Sequence, residues 1–98
     1  MLKVYALIRT ENRELNGEDE WITKSYTNRI AAEEDFNYAC KSLLDYGAEC
    51  ILETSATIQI TVTRIEKYFK LDFAYDDNRF DLGRLRSTSI QLKEIEVA

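Results

Sequence analysis

Histidine is absent from the 98 residues. That absence removes the usual general base, the Ser–His and Cys–His nucleophile pairs and the commonest metal ligand. A zinc site needs three or four Cys or His ligands, which Cys40 and Cys50 cannot supply. Gly17, Gly47 and Gly83 are the only glycines and stand far apart, so no glycine-rich phosphate cradle can form. Proline is also missing, and no stretch is marked as a stiff linker. No apolar run approaches the roughly 20 residues that a membrane-spanning helix requires. The opening MLKVYALIRTENR alternates like a strand and lacks a small-residue cleavage site, so no signal peptide is expected. Two cysteines make no disulfide framework; both are expected reduced and buried, in a cytoplasmic protein.

What is present fits one domain spanning 1–98. The hydrophobic fraction is 45%, enough for one core without metal or disulfide staples. The charge is uneven. Residues 1–53 hold 11 acids against 6 bases, whereas 54–98 hold 7 of each, so the net −5 lies wholly in the first half. Nucleic-acid affinity rests on Lys and Arg neutralising phosphates, which argues against direct nucleic-acid binding by this chain. A partner with a basic surface suits it better.

One long helix is predicted over Thr27–Gly47. Ala32, Phe36, Ala39, Leu43 and Tyr46 recur at intervals of four, three, four and three, which holds them on one side. Cys40 and Leu44 widen that stripe, and Glu33, Glu34, Asn37, Lys41 and Asp45 fill the opposite side. Thr27 or Asn28 caps the start, and Gly47 is read as the stop. Strands are predicted at Leu2–Thr10 and Trp21–Tyr26, joined by the polar loop Glu11–Glu20. Further strands follow at Glu49–Thr54, across Ile58–Tyr75 as a pair joined near Thr63–Glu66, and at Thr88–Val97. In the last, Ile95 and Val97 are one residue out of phase with Ile90 and Leu92, which suggests a bulge. Asp76–Arg79 is a turn, and residues 80–86 fit strand, loop or helical turn equally. The fold expected is α+β: a single antiparallel or mixed sheet of about five strands, β-β-α-β-β-β, with the helix on one face.

Carboxylates are the only metal-binding chemistry left. Asp76, Asp77 and Asp81 surround a turn, but Phe80 and Asp81 break the calcium-loop pattern. No metal, cofactor or catalytic residue is therefore expected. Binding remains, and three surfaces are candidates. An acidic one comprises Glu18, Asp19, Glu20, Glu33 and Glu34 with Tyr38, and could dock on a basic surface by imitating phosphates. The uncovered sheet face could carry Tyr5, Leu7 and Tyr68 and close a homodimer. A crevice between helix and sheet, or a dimer seam, could take a small ligand on Arg84 or Arg86. The function expected is thus a small acidic, non-catalytic protein acting through protein contacts. It would be an inhibitor of the kind carried by phages and mobile elements, anti-CRISPR proteins among them, or an adaptor. Small-ligand binding is the alternative, and an enzyme without histidine the third reading.

Overall fold

The computed structural model describes residues 2–14, 17–53, 58–75 and 84–97. Its elements run β1 (Leu2–Arg13), β2 (Gly17–Tyr26), α1 (Arg29–Glu53), β3 (Ile58–Ile65), β4 (Tyr68–Tyr75) and β5 (Leu85–Val97). The strands form one sheet in the order β2-β1-β5-β4-β3, and every neighbouring pair is antiparallel. The fold is therefore α+β, with a single helix packed on one face.

Asn28 starts the helix. Its Oδ1 accepts from the N–H groups of Ile30 at 2.9 Å and Ala31 at 3.2 Å, satisfying donors that the first turn leaves free. The buried stripe is Ala32, Phe36, Cys40, Leu43 and Gly47, rotated slightly from the predicted one, so that Leu44 is exposed. Gly47 does not stop the helix. It lies on the buried stripe, where an added Cβ would meet Leu71 Cδ1 at 3.3 Å and Ile60 Cδ1 at 3.4 Å. The glycine lets the helix backbone approach the sheet, and the chain continues helical to Glu53, over the segment predicted as the strand Glu49–Thr54. Cys40 and Cys50 thus lie ten residues apart on one helix, about 15 Å along its axis; Cys40 is buried, and the side chain of Cys50 lies outside the described residues.

Cross-strand pairing settles which residues share a face. Tyr5, Leu7, Ile90, Leu92, Phe69, Leu71 and Phe73 form the helix-covered face, in one cluster with Ala32, Phe36, Cys40 and Leu43. The segment predicted as the loop Glu11–Glu20 is mostly strand: β1 runs to Arg13 and β2 begins at Gly17. β3 and β4 are joined by Glu66 and Lys67, with Lys67 at φ 61°. The Asp76, Asp77 and Asp81 turn lies outside the described residues. Leu85–Val97 is longer than predicted, and its pairing with β1 shifts only between Asn12 and Arg13, not near Leu92–Ile95 where a bulge was expected.

Candidate functional site

β2 closes one edge of the sheet and pairs only with β1. Every residue from Gly17 to Ser25 is exposed. Such an edge presents a row of backbone N–H and C=O groups without sheet partners, which another extended segment can pair with. One bulge interrupts it: Leu7 pairs with Lys24 and Ile8 with Ile22, leaving Thr23 extra. The Thr23 hydroxyl donates to the Leu7 carbonyl at 3.1 Å and pins the bulge to β1.

The predicted acidic residues divide between elements. Glu18 pairs with Asn12, Asp19 with Glu11 and Glu20 with Thr10, so Glu18 and Glu20 share the face away from the helix and Asp19 takes the helix side. Beside Asp19, Glu11 is held between Arg9 at 3.4 Å and Arg13 at 3.3 Å. Trp21, 41% exposed, lies opposite Arg9 and brings an aromatic ring next to the acids.

Helix acids point elsewhere. Tyr26, at the far end of β2, donates its hydroxyl to the Asp35 carboxylate. Six residues of strand, about 20 Å, separate Tyr26 from Glu20. Burial, reinforced by the bond to Asp35 and its charge, pushes the Tyr26 phenol up to about 12. Glu33 lines a crevice with Arg64 and Lys67, and Arg29, one turn earlier on the helix, donates Nε to it at 3.0 Å. Glu34 and Tyr38 are one helical turn apart on the outer surface, with Tyr38 74% exposed. The structure therefore gathers Glu18, Asp19 and Glu20, and separately Glu34 and Tyr38, without merging them into one surface.

For the sheet-face set the correction is specific. Tyr5 and Leu7 are buried beneath the helix, because their neighbours across β5 are core residues or their flanks. Tyr68 does lie on the open face, in the row Ile22–Ile8–Gln91–Tyr68–Ile65. That face has two halves. Thr10, Asn12, Ser87, Ser89, Lys70 and Asp72 make a polar half, with Lys70 Nζ 3.4 Å from Asp72. Toward Leu2 and Val97 it becomes aliphatic.

Arg84 and Arg86 do not line the crevice between helix and sheet. The Arg84 guanidinium stacks 4.1 Å from the Tyr75 ring centroid, and its carbonyl accepts from Glu14 N–H at 2.9 Å. Arg86 borders the polar hollow of the open face with Asn12, Lys70 and Ser87. The crevice has other cations: Arg29, Arg64 and Lys67, with Glu33, Glu66 and Asn37 around a Phe36 floor, enclosing about 370 Å³. Arg64 Nη2 donates to Asn37 Oδ1 at 3.0 Å, which fixes the guanidinium at the rim. Sequence reasoning missed this set because no single element carries it. In the core, burial pushes the Cys40 thiol up, against a smaller opposing effect of the Arg64 charge.

Among the described residues no group of three or more His, Cys, Asp or Glu is gathered as a metal site, and no helix is long and apolar enough to cross a membrane. No protein-family model, curated protein or solved structure compared with the chain matches it.

Proposed function

We propose that the chain is a non-catalytic binding protein whose β2 edge receives a protein partner with a basic surface. The observation that supports this reading is the edge itself: a 10-residue terminal strand, exposed from Gly17 to Ser25, carrying Glu18, Asp19 and Glu20 at one end and Trp21 and Ile22 in its middle. Backbone pairing would supply affinity, and the acids would select a cationic partner and speed its approach. Trp21 has the aromatic character that interface anchors favour. A small inhibitor or an adaptor acts in this way, and the acid-rich edge suits an inhibitor that occupies a surface built for phosphates. The test is affinity capture with immobilised chain at low salt, comparing wild type with E18Q/D19N/E20Q and with Trp21→Ala. Basic proteins retained by wild type should be lost from both variants. Equal recovery of the same proteins by all three would refute the reading.

The crevice favours a second reading, a small anionic ligand held by Arg29, Arg64 and Lys67. Heat stabilisation by carboxylate or phosphate compounds, abolished in R64A/K67A, would support it; no stabilisation of wild type by any would remove it.

A further inference from the structure

The polar half of the open face holds a trough. Its floor is made by small side chains of two inner strands, where Thr10 and Asn12 on β1 pair with Ser89 and Ser87 on β5. Longer side chains stand on either side: Tyr68, Lys70 and Asp72 on β4, and Glu18, the partner of Asn12, on β2. Cross-strand neighbours on one face stand about 5 Å apart, so the change in side-chain length alone leaves a depression. It divides into two adjoining hollows of about 290 and 240 Å³ that share Asn12, Lys70 and Ser87. A bulge completes it. Asn12 pairs with Ser87 and Arg13 with Leu85, which leaves Arg86 extra in β5. Neighbours in a regular strand point to opposite faces, but the extra residue lets Arg86 border the same hollow as Ser87.

We propose that this trough binds a neutral sugar of two linked rings, one ring in each hollow. The proposal is independent of the β2-edge reading and of the crevice beside the helix. Two observations point to a ligand. Ser89 is only 8% exposed and lines the smaller hollow, and its hydroxyl makes no hydrogen bond within the described residues. Arg86, exposed at the larger hollow, likewise makes no hydrogen bond or ion pair within the described residues. A hydroxyl so enclosed and a free planar fork of donors both take their partners from outside the chain. The charges select the class. Lys70 and Arg86 balance Asp72 and Glu18, with Lys70 Nζ 3.4 Å from Asp72, so the trough as a whole offers an ion no net attraction. Among the described residues no aliphatic side chain lines the smaller hollow, which leaves little for an apolar ligand. A ring bearing hydroxyl groups meets both conditions. It can donate to Glu18 and Asp72, accept from Arg86, Asn12 and Gln91, and bond the serine hydroxyls either way. Tyr68 adds an aromatic face on the wall for the C–H side of a ring. The residues shared between the hollows make them continuous, which suits two linked rings rather than two separate molecules.

The full chain on an array of immobilised neutral and acidic glycans tests this, followed by amide NMR titration with the best-retained neutral disaccharide in free form. Neutral disaccharide units should be retained above acidic ones. The free disaccharide should shift the amides of Asn12, Ser87 and Ser89 and bind more tightly than glucose or glucose 6-phosphate. Arg86→Gln, at an exposed position that leaves folding intact, should weaken binding about tenfold, and Ser89→Ala about fivefold. R64A/K67A in the crevice and Trp21→Ala on the β2 edge should bind as wild type does, which separates this site from the other two. Retention of no neutral glycan would overturn the proposal. So would preference for acidic glycans, glucose bound as tightly as the disaccharide, amide shifts confined to other parts of the chain, or unchanged affinity in both Arg86→Gln and Ser89→Ala.

Discussion

Gly47 sits where two requirements conflict. In mid-helix a glycine costs about 1 kcal/mol relative to alanine, but here an added methyl would press on Leu71 Cδ1 and Ile60 Cδ1. Leu71 is fully buried and cannot retreat. Overpacking costs about 1–3 kcal/mol, so Gly47→Ala should lose about 1 kcal/mol net and Gly47→Leu about 3 kcal/mol or more, read as a fall in the urea midpoint. A midpoint raised by Gly47→Ala would mean that the helix stands farther from β4 than described. Thr88 presents the reverse case. Its hydroxyl is fully buried and has no hydrogen-bond partner among the described residues. Thr88→Val removes an unpaired polar group at nearly constant shape and should raise stability by about 1 kcal/mol; a loss would show that the hydroxyl is bonded. Tyr26 sets a pH dependence. Its phenol is held neutral up to about 12 in the folded chain and titrates near 10 unfolded. The folded state thus binds more protons above pH 10. This contribution is complete below about pH 10 and is lost as pH rises through 12. Urea midpoints at rising alkaline pH should fall less steeply for Tyr26→Phe than for wild type. At this scale the sequence was partly legible: Gly47 lies four residues beyond Leu43, on the stripe through Phe36 and Cys40, and that periodicity outranked its character as a helix stop.

Among elements, the helix and its cap were the most legible. A 3.6-residue pattern over many turns leaves few alternatives, and Asn28 has both the position and the side chain to accept from the first turn. Asn28→Ala should cost about 1 kcal/mol, measured by denaturation, whereas Thr27→Ala should cost much less because no capping bond comes from it. The hairpin of β1 and β2 was less legible. ENRELNGEDE is poor in strand-forming residues, and local propensity reads it as loop. Pairing overrides propensity there: Arg9, Glu11 and Arg13 form a ladder of opposite charges on one face, with Asp19 and Trp21 across from it. The phase change in β5 was visible in the sequence, but a bulge and a change of buried face leave the same one-residue signature. Only the register with β1 separates them. That distinction turns an apparent irregularity into a second apolar surface.

For the whole molecule, the extents of 51 × 23 × 19 Å set the acidic edge and the aliphatic rows along an elongated body rather than on one patch. The acid-bearing part of β2 lies toward the Gly17 end of the hairpin, and the aliphatic rows lie toward Leu2 and Val97. The forces at the two differ in kind. Contact between acids and a basic partner is screened, with a Debye length falling from about 30 Å at 0.01 M salt to about 8 Å at 0.15 M. Aliphatic burial has no comparable dependence. Raising sodium chloride should therefore act on the acidic contact, and partner recovery on immobilised chain should fall steadily. The substitutions should bear on it as well: E18Q/D19N/E20Q should lose the partner at low salt, whereas I95K/V97K, at the far end of the sheet, should retain it. If recovery held as salt rose, or if I95K/V97K lost the partner as the acid variant does, the assignment of binding to the acidic edge would be wrong.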